Sequence, residues 1–157
     1  MTRILLVHGA IGGAWCWSRV VDPLERAGHT VEALDLPGGG DDRTPPEQVT
    51  LEACAAPVCD ALAASSEPAL LVGHSMGGVV VTQAASNRPD RVLQLAFVCA
   101  FMPADGRSLL DLTRLPEGQG DQIELDADHA PFLSAANELA GALLEFASER
   151  PDDPRGR

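Results

Sequence analysis

At 157 residues, 45% of them hydrophobic, the chain has the length of one domain and enough apolar material to bury a core. A formal net charge of −12, from 11 basic and 23 acidic side chains, excludes the basic footprint that nucleic acid requires and opposes an anionic membrane surface. No apolar run is long enough to span a bilayer, and with the first beginning at Ile4 no signal peptide and a cytoplasmic protein are expected. Cys16, Cys54, Cys59 and Cys99 lie in apolar or helical segments without metal-ligand spacing and are expected to be reduced thiols.

In chain order, strand and helix signals alternate. Residues 4–8 form a short continuous apolar run, as expected for a parallel strand covered on both faces. Residues 15–27 read as a helix interrupted by Pro23 and stopped by Gly28, and 30–34 as a second strand. Residues 37–46, with three consecutive glycines and two aspartates, form a loop. A helix is expected over 50–64, a third strand over 69–72, a helix over 78–87 and a fourth strand over 91–99. Residues 108–115 suggest a short helix, 122–125 a fifth strand and 131–148 a closing amphipathic helix. Together these predict an α/β fold: a doubly wound, mostly parallel five-stranded sheet with helices on both faces. The domain is expected over 1–149, with a flexible tail over 150–157.

The sharpest motif is Gly73-His74-Ser75-Met76-Gly77, a G-x-S-x-G pattern between an apolar strand and a helix. A strand-to-helix turn this tight strains the central residue, and the two flanking glycines avoid clashes with the neighbouring strand and helix. Ser75 is then lifted clear of the sheet as a nucleophile, and the Met76 amide lies at a helix N-terminus, suited to an oxyanion. His8-Gly9-Ala10, Ser75, Asp105 and His129 all fall just after expected strands, on the edge where such sheets bind ligands.

The segments LLVHGAIGGAWCW, ALDLPG, LVGHSMGG, LAFVCAFMPADG and DHAPFLSAANELAGALLEFA resemble, in order, landmarks of the α/β-hydrolases. The similarity is greatest to the branch of plant-type methylesterases, hydroxynitrile lyases and their bacterial esterase relatives. Members of that branch carry a helical cap and a further, acid-bearing strand between the segments matching FMPADG and DHAPFLS. Here only residues 107–127 separate the two, so the cap and that strand are expected to be missing, and the resemblance then implies five strands in the flavodoxin-type order 2-1-3-4-5.

The resemblance implies acyl transfer with Ser75 as nucleophile, His129 as base and the backbone amides of Ala10 and Met76 as oxyanion hole. Asp105 is the first choice for the acid, with Asp121, Asp126 and Asp128 as alternatives; Asp128 would point away from His129 in an extended backbone. His8 and His74 are expected to be structural or supporting residues, and substrate contact is expected at Gly9, Ile11, Trp15, His74, Phe101 and Met102. Hydroxynitrile lyases carry Thr at the position of Gly9 and Lys at that of Ala130, which favours ester hydrolysis here. Asp41, Asp42 and Glu47 read as a solvated acidic loop, and no metal or cofactor is expected. The expected function is a cap-less serine carboxylesterase for small or short-chain esters. The alternative is a catalytically degenerate module that binds a small molecule or a protein. Under either, a homodimer could form through the uncovered face.

Overall fold

The computed structural model describes residues 1–100 and 128–148. Within them four strands form one all-parallel sheet: β1 (Arg3–Val7), β2 (Thr30–Leu34), β3 (Ala69–His74) and β4 (Val92–Val98). Their order is β2-β1-β3-β4, the reversal expected from the sequence, with the switch point between β1 and β3. The expected fifth strand (122–125), the short helix (108–115) and the tail from 150 lie outside the described residues.

The apolar runs of β1 and β3 split by period two onto the two faces of the sheet. Ile4, Leu6, Leu70 and Val72 pack with Trp17, Val20, Leu24, Phe132, Leu139 and Leu143 on one side. Leu5, Val7, Ala69 and Leu71 pack with Val58, Leu62, Val80 and Val81 on the other. The first layer comes from α1 (Ser18–Arg26), α4 (Pro131–Ser134) and α5 (Ala136–Ser148), the second from α2 (Leu51–Ala63) and α3 (Gly77–Asn87). No helix among the described residues is long and apolar enough to cross a membrane.

Two expected helices are each divided. Residues 14–17 form a 3-10 turn before α1 begins, and α1 ends at the expected glycine, Gly28, with φ +89°. The closing helix breaks at Ala135, where φ reaches −136°. Beside the break, the Ser134 hydroxyl reaches the Ala130 carbonyl at 3.5 Å, a side-chain bond to the i−4 carbonyl of the kind that bends helices, and lies 3.0 Å from the Asp128 carboxylate. At the site end, β3 runs on to His74 and carries its pairing with β4 right up to the nucleophile turn.

Candidate active site

Ser75 sits at φ +51° between β3 and α3, in left-handed backbone that a non-glycine residue rarely adopts. Crowding on both sides enforces the turn. A Cβ on Gly73 would lie 2.6 Å from the carbonyl oxygen of Gly77, and one on Gly77 would lie 2.7 Å from those of Val7 and His8. The Ser75 N–H donates to the Val98 carbonyl at 3.2 Å, which fastens the turn to the end of β4. The Gly78 N–H closes the first turn of α3 on the Ser75 carbonyl at 3.1 Å. The N–H groups of Ala10 and Met76 have no hydrogen-bond partner among the described residues.

His129 comes from the other end of the chain. Its Nε2 lies at hydrogen-bond distance, 3.2 Å, from Ser75 Oγ. Its backbone carbonyl accepts from the Nε2–H of His74 at 2.7 Å, a bond that spans 55 positions. The His74 ring stands edge-on to Phe132, centroids 4.8 Å apart, and lies 5.0 Å from the His129 ring. Burial pushes the His74 imidazole below the ordinary histidine value, and the neighbouring His129 and His8 rings add to this, while the bond to the His129 carbonyl opposes it. A neutral His74 with its proton on Nε2 fits that bond.

His8 is buried and has both ring nitrogens engaged. Nε2 accepts from the Leu36 N–H at 3.0 Å, so Nδ1 carries the proton and donates to the Gly9 carbonyl at 2.7 Å. Gly9 lies beneath the nucleophile, where an added Cβ would come within 2.9 Å of both Ser75 Cβ and His74 Nδ1. Ile11 is fully exposed at φ +62°, and Trp15 is 59% exposed, whereas Trp17 is completely buried. Trp15, an expected substrate contact, is thus open to solvent, whereas Trp17 belongs to the core. Asp128 turns its carboxylate to the Ala130 N–H at 2.8 Å and to Ser134, and among the described residues no carboxylate bonds His129 Nδ1. Asp105, Asp121, Asp126, Phe101 and Met102 lie outside the described residues.

Asp35 and Phe132 escaped the sequence reading. Asp35 follows β2 and accepts from the Ala14 N–H at 2.6 Å and the Asp41 N–H at 3.2 Å. Its signal was available in the LDLPG segment, where an aspartate closing a strand next to a glycine loop is a ready acceptor for loop amides. All four cysteines are free, and only Cys99 is exposed. Partial burial pushes the Cys99 thiol up, and the Asp128 carboxylate adds to the shift. Among the described residues no three His, Cys, Asp or Glu side chains group as a metal site.

Residues 2–136 match the model of the alpha/beta hydrolase fold family. The chain is 43% identical over 111 residues to Esterase PIR7B of Oryza sativa subsp. japonica, covering 68% of this chain and 41% of that protein. It is 40% identical over 154 residues to Methylesterase 7 of Arabidopsis thaliana, covering 96% and 56%. It superposes on an extracellular alpha/beta-hydrolase from a Paenibacillus species, described as sharing structural and functional homology with tobacco salicylic acid binding protein 2. The TM-score is 0.63 at 32% identity, over 69% of this chain and 44% of the other. The chain thus spans about half the length of the curated relatives it matches.

Proposed function

This chain belongs to the α/β-hydrolase fold family, in the branch of plant methylesterases and esterases with bacterial structural relatives, and on that premise we propose that it is a serine carboxylesterase for small or short-chain esters. The observation that carries the reading is the 3.2 Å approach of His129 Nε2 to Ser75 Oγ at a strained, glycine-flanked turn. That distance is the reach of a general base on its nucleophile.

The Ser75 proton passes to His129 Nε2 as Oγ forms a bond to the ester carbonyl carbon. The carbonyl electron pair moves onto oxygen, which the unpartnered N–H groups of Ala10 and Met76 are suited to receive. The ester C–O bond then breaks, and His129 gives its proton to the departing alkoxide. Water attacks the acyl carbon and loses a proton to His129, and release of the acid returns that proton to Ser75. Asp105 remains the candidate to orient His129, and Ile11 and Trp15 the candidates for substrate contact. Their exposure supports a shallow, open site with broad selectivity for small acyl groups and modest turnover.

The test is hydrolysis of p-nitrophenyl acetate and butyrate by the wild type, Ser75→Ala and His129→Ala, with all three compared for folding by circular dichroism. Loss of activity in both folded variants supports the Ser-His pair. A folded wild type without activity, or unaffected by Ser75→Ala, would instead favour the degenerate binding module.

A further inference from the structure

We infer that Asp35 is a positioning residue that sets the loop over 9–13, and with it the Ala10 N–H, for oxyanion binding; this rests on the esterase reading above. The loop has little to define its own shape. It contains Gly9, Gly12 and Gly13, its Ile11 is fully exposed at φ +62°, and its one internal backbone bond runs from the Gly12 N–H to the Gly9 carbonyl at 3.3 Å. Gly13, at the N-cap of the following 3-10 turn, offers no side chain to satisfy that turn's free N–H groups.

The segment after β2 supplies what the loop lacks. Asp35 Oδ1 takes the Ala14 N–H at 2.6 Å, capping the turn from another element. Its Oδ2 takes the Asp41 N–H at 3.2 Å, which draws residues 39–41 over the loop. There the Gly40 N–H donates to the Gly12 carbonyl at 2.9 Å. Contact at this junction is tight: a Cβ on Gly13 would lie 2.5 Å from Gly40 Cα, and a Cβ on Gly40 would overlap the Asp35 carboxylate. At the loop's other end, His8 joins the Leu36 N–H to the Gly9 carbonyl. The loop is therefore held at both ends by the segment after β2, and within that clamp the Asp35 carboxylate is the side chain that accepts from both the Ala14 and the Asp41 N–H. A bond from an ionised acceptor to an amide is about twice as strong as a neutral one, so Asp35 is its firmest tie.

An oxyanion donor contributes in proportion to its aim at the tetrahedral oxygen and little to the planar ester. Asp35→Ala should accordingly lower kcat on p-nitrophenyl butyrate on the order of 10²-fold with KM nearly unchanged. Affinity for a phenylboronic acid, whose adduct on Ser75 carries the tetrahedral oxygen, should fall in parallel. Asp35→Asn keeps an acceptor oxygen for Ala14 and should lie between the two. It also serves as the working variant if the alanine protein fails to fold. A purely structural role would lower the melting temperature while leaving kcat and boronate affinity per folded molecule at wild-type values. That outcome, with wild-type hydrolysis dependent on Ser75, overturns this inference alone. A wild type lacking Ser75-dependent hydrolysis overturns the esterase reading and this inference with it.

Discussion

Ser75 and His129 meet at 3.2 Å, yet the molecule places them by opposite means. Ser75 is fixed by its immediate neighbours: a fully buried strand, two glycines that admit no side chain, and the first turn of α3. His129 is itself exposed, just ahead of the short α4, and its fixings are side-chain bonds: the His74 clasp on its carbonyl and the bond of the Asp128 carboxylate to the Ala130 N–H. A nucleophile set by backbone crowding between neighbouring strands is rigid, and its motif occupies five consecutive residues. A base set by bonds across 55 positions depends on tertiary structure and can be displaced without unfolding the sheet.

The comparison breaks most visibly on the nucleophile side. Gly77→Ala pushes a Cβ into the Val7 and His8 carbonyls and should cost about 1–3 kcal/mol in urea unfolding, with loss of esterase activity. His74→Phe keeps a ring against Phe132 but removes the donor to His129. It should cost about 0.5–1.5 kcal/mol of stability. Its kcat should nevertheless fall on the order of 10²-fold, because a small misplacement of the base is costly. His74→Gln, which retains an N–H donor, should recover part of that loss. Asp128→Ala removes the acceptor for the Ala130 N–H and the Ser134 hydroxyl. It should lower stability by about 0.5–2 kcal/mol, with a smaller kcat effect than His74→Phe.

The smallest effect is a pH dependence. Burial lowers the His74 value in the folded chain, so the unfolded chain binds that proton more readily. The associated stability is present above the ordinary histidine value of 6.5 and is lost as pH falls below it. Unfolding in urea at pH 7.5 and 5.5 should show a larger acid loss in the wild type than in His74→Gln, with equal losses counting against this account.

What the sequence made legible follows the same division. The first four strand runs and the Gly28 stop rest on local sequence pattern, the order of those strands on the family resemblance, and all are present in the structure. The glycines flanking Ser75 were readable from the motif itself: Gly73 is crowded within the turn by Gly77, although Gly77 is crowded by the Val7 and His8 carbonyls at the end of β1. The His74 bond to the His129 carbonyl, the Asp35 clamp and the break at Ala135 were not, because each depends on a partner distant in sequence or on a side chain competing with the backbone. Trp15 and Trp17 differ for a similar reason. They stand two positions apart in a 3-10 turn, where the sequence reading expected the start of a continuous helix.

The most direct test of the central claim is mass spectrometry of the protein quenched during turnover of p-nitrophenyl butyrate. The account predicts a butyryl group on the peptide carrying Ser75 in the wild type, and none at that position in Ser75→Ala or, over the same interval, in His129→Ala. A butyryl group found on Cys99 instead, or equal labelling of Ser75 with and without His129, would contradict it.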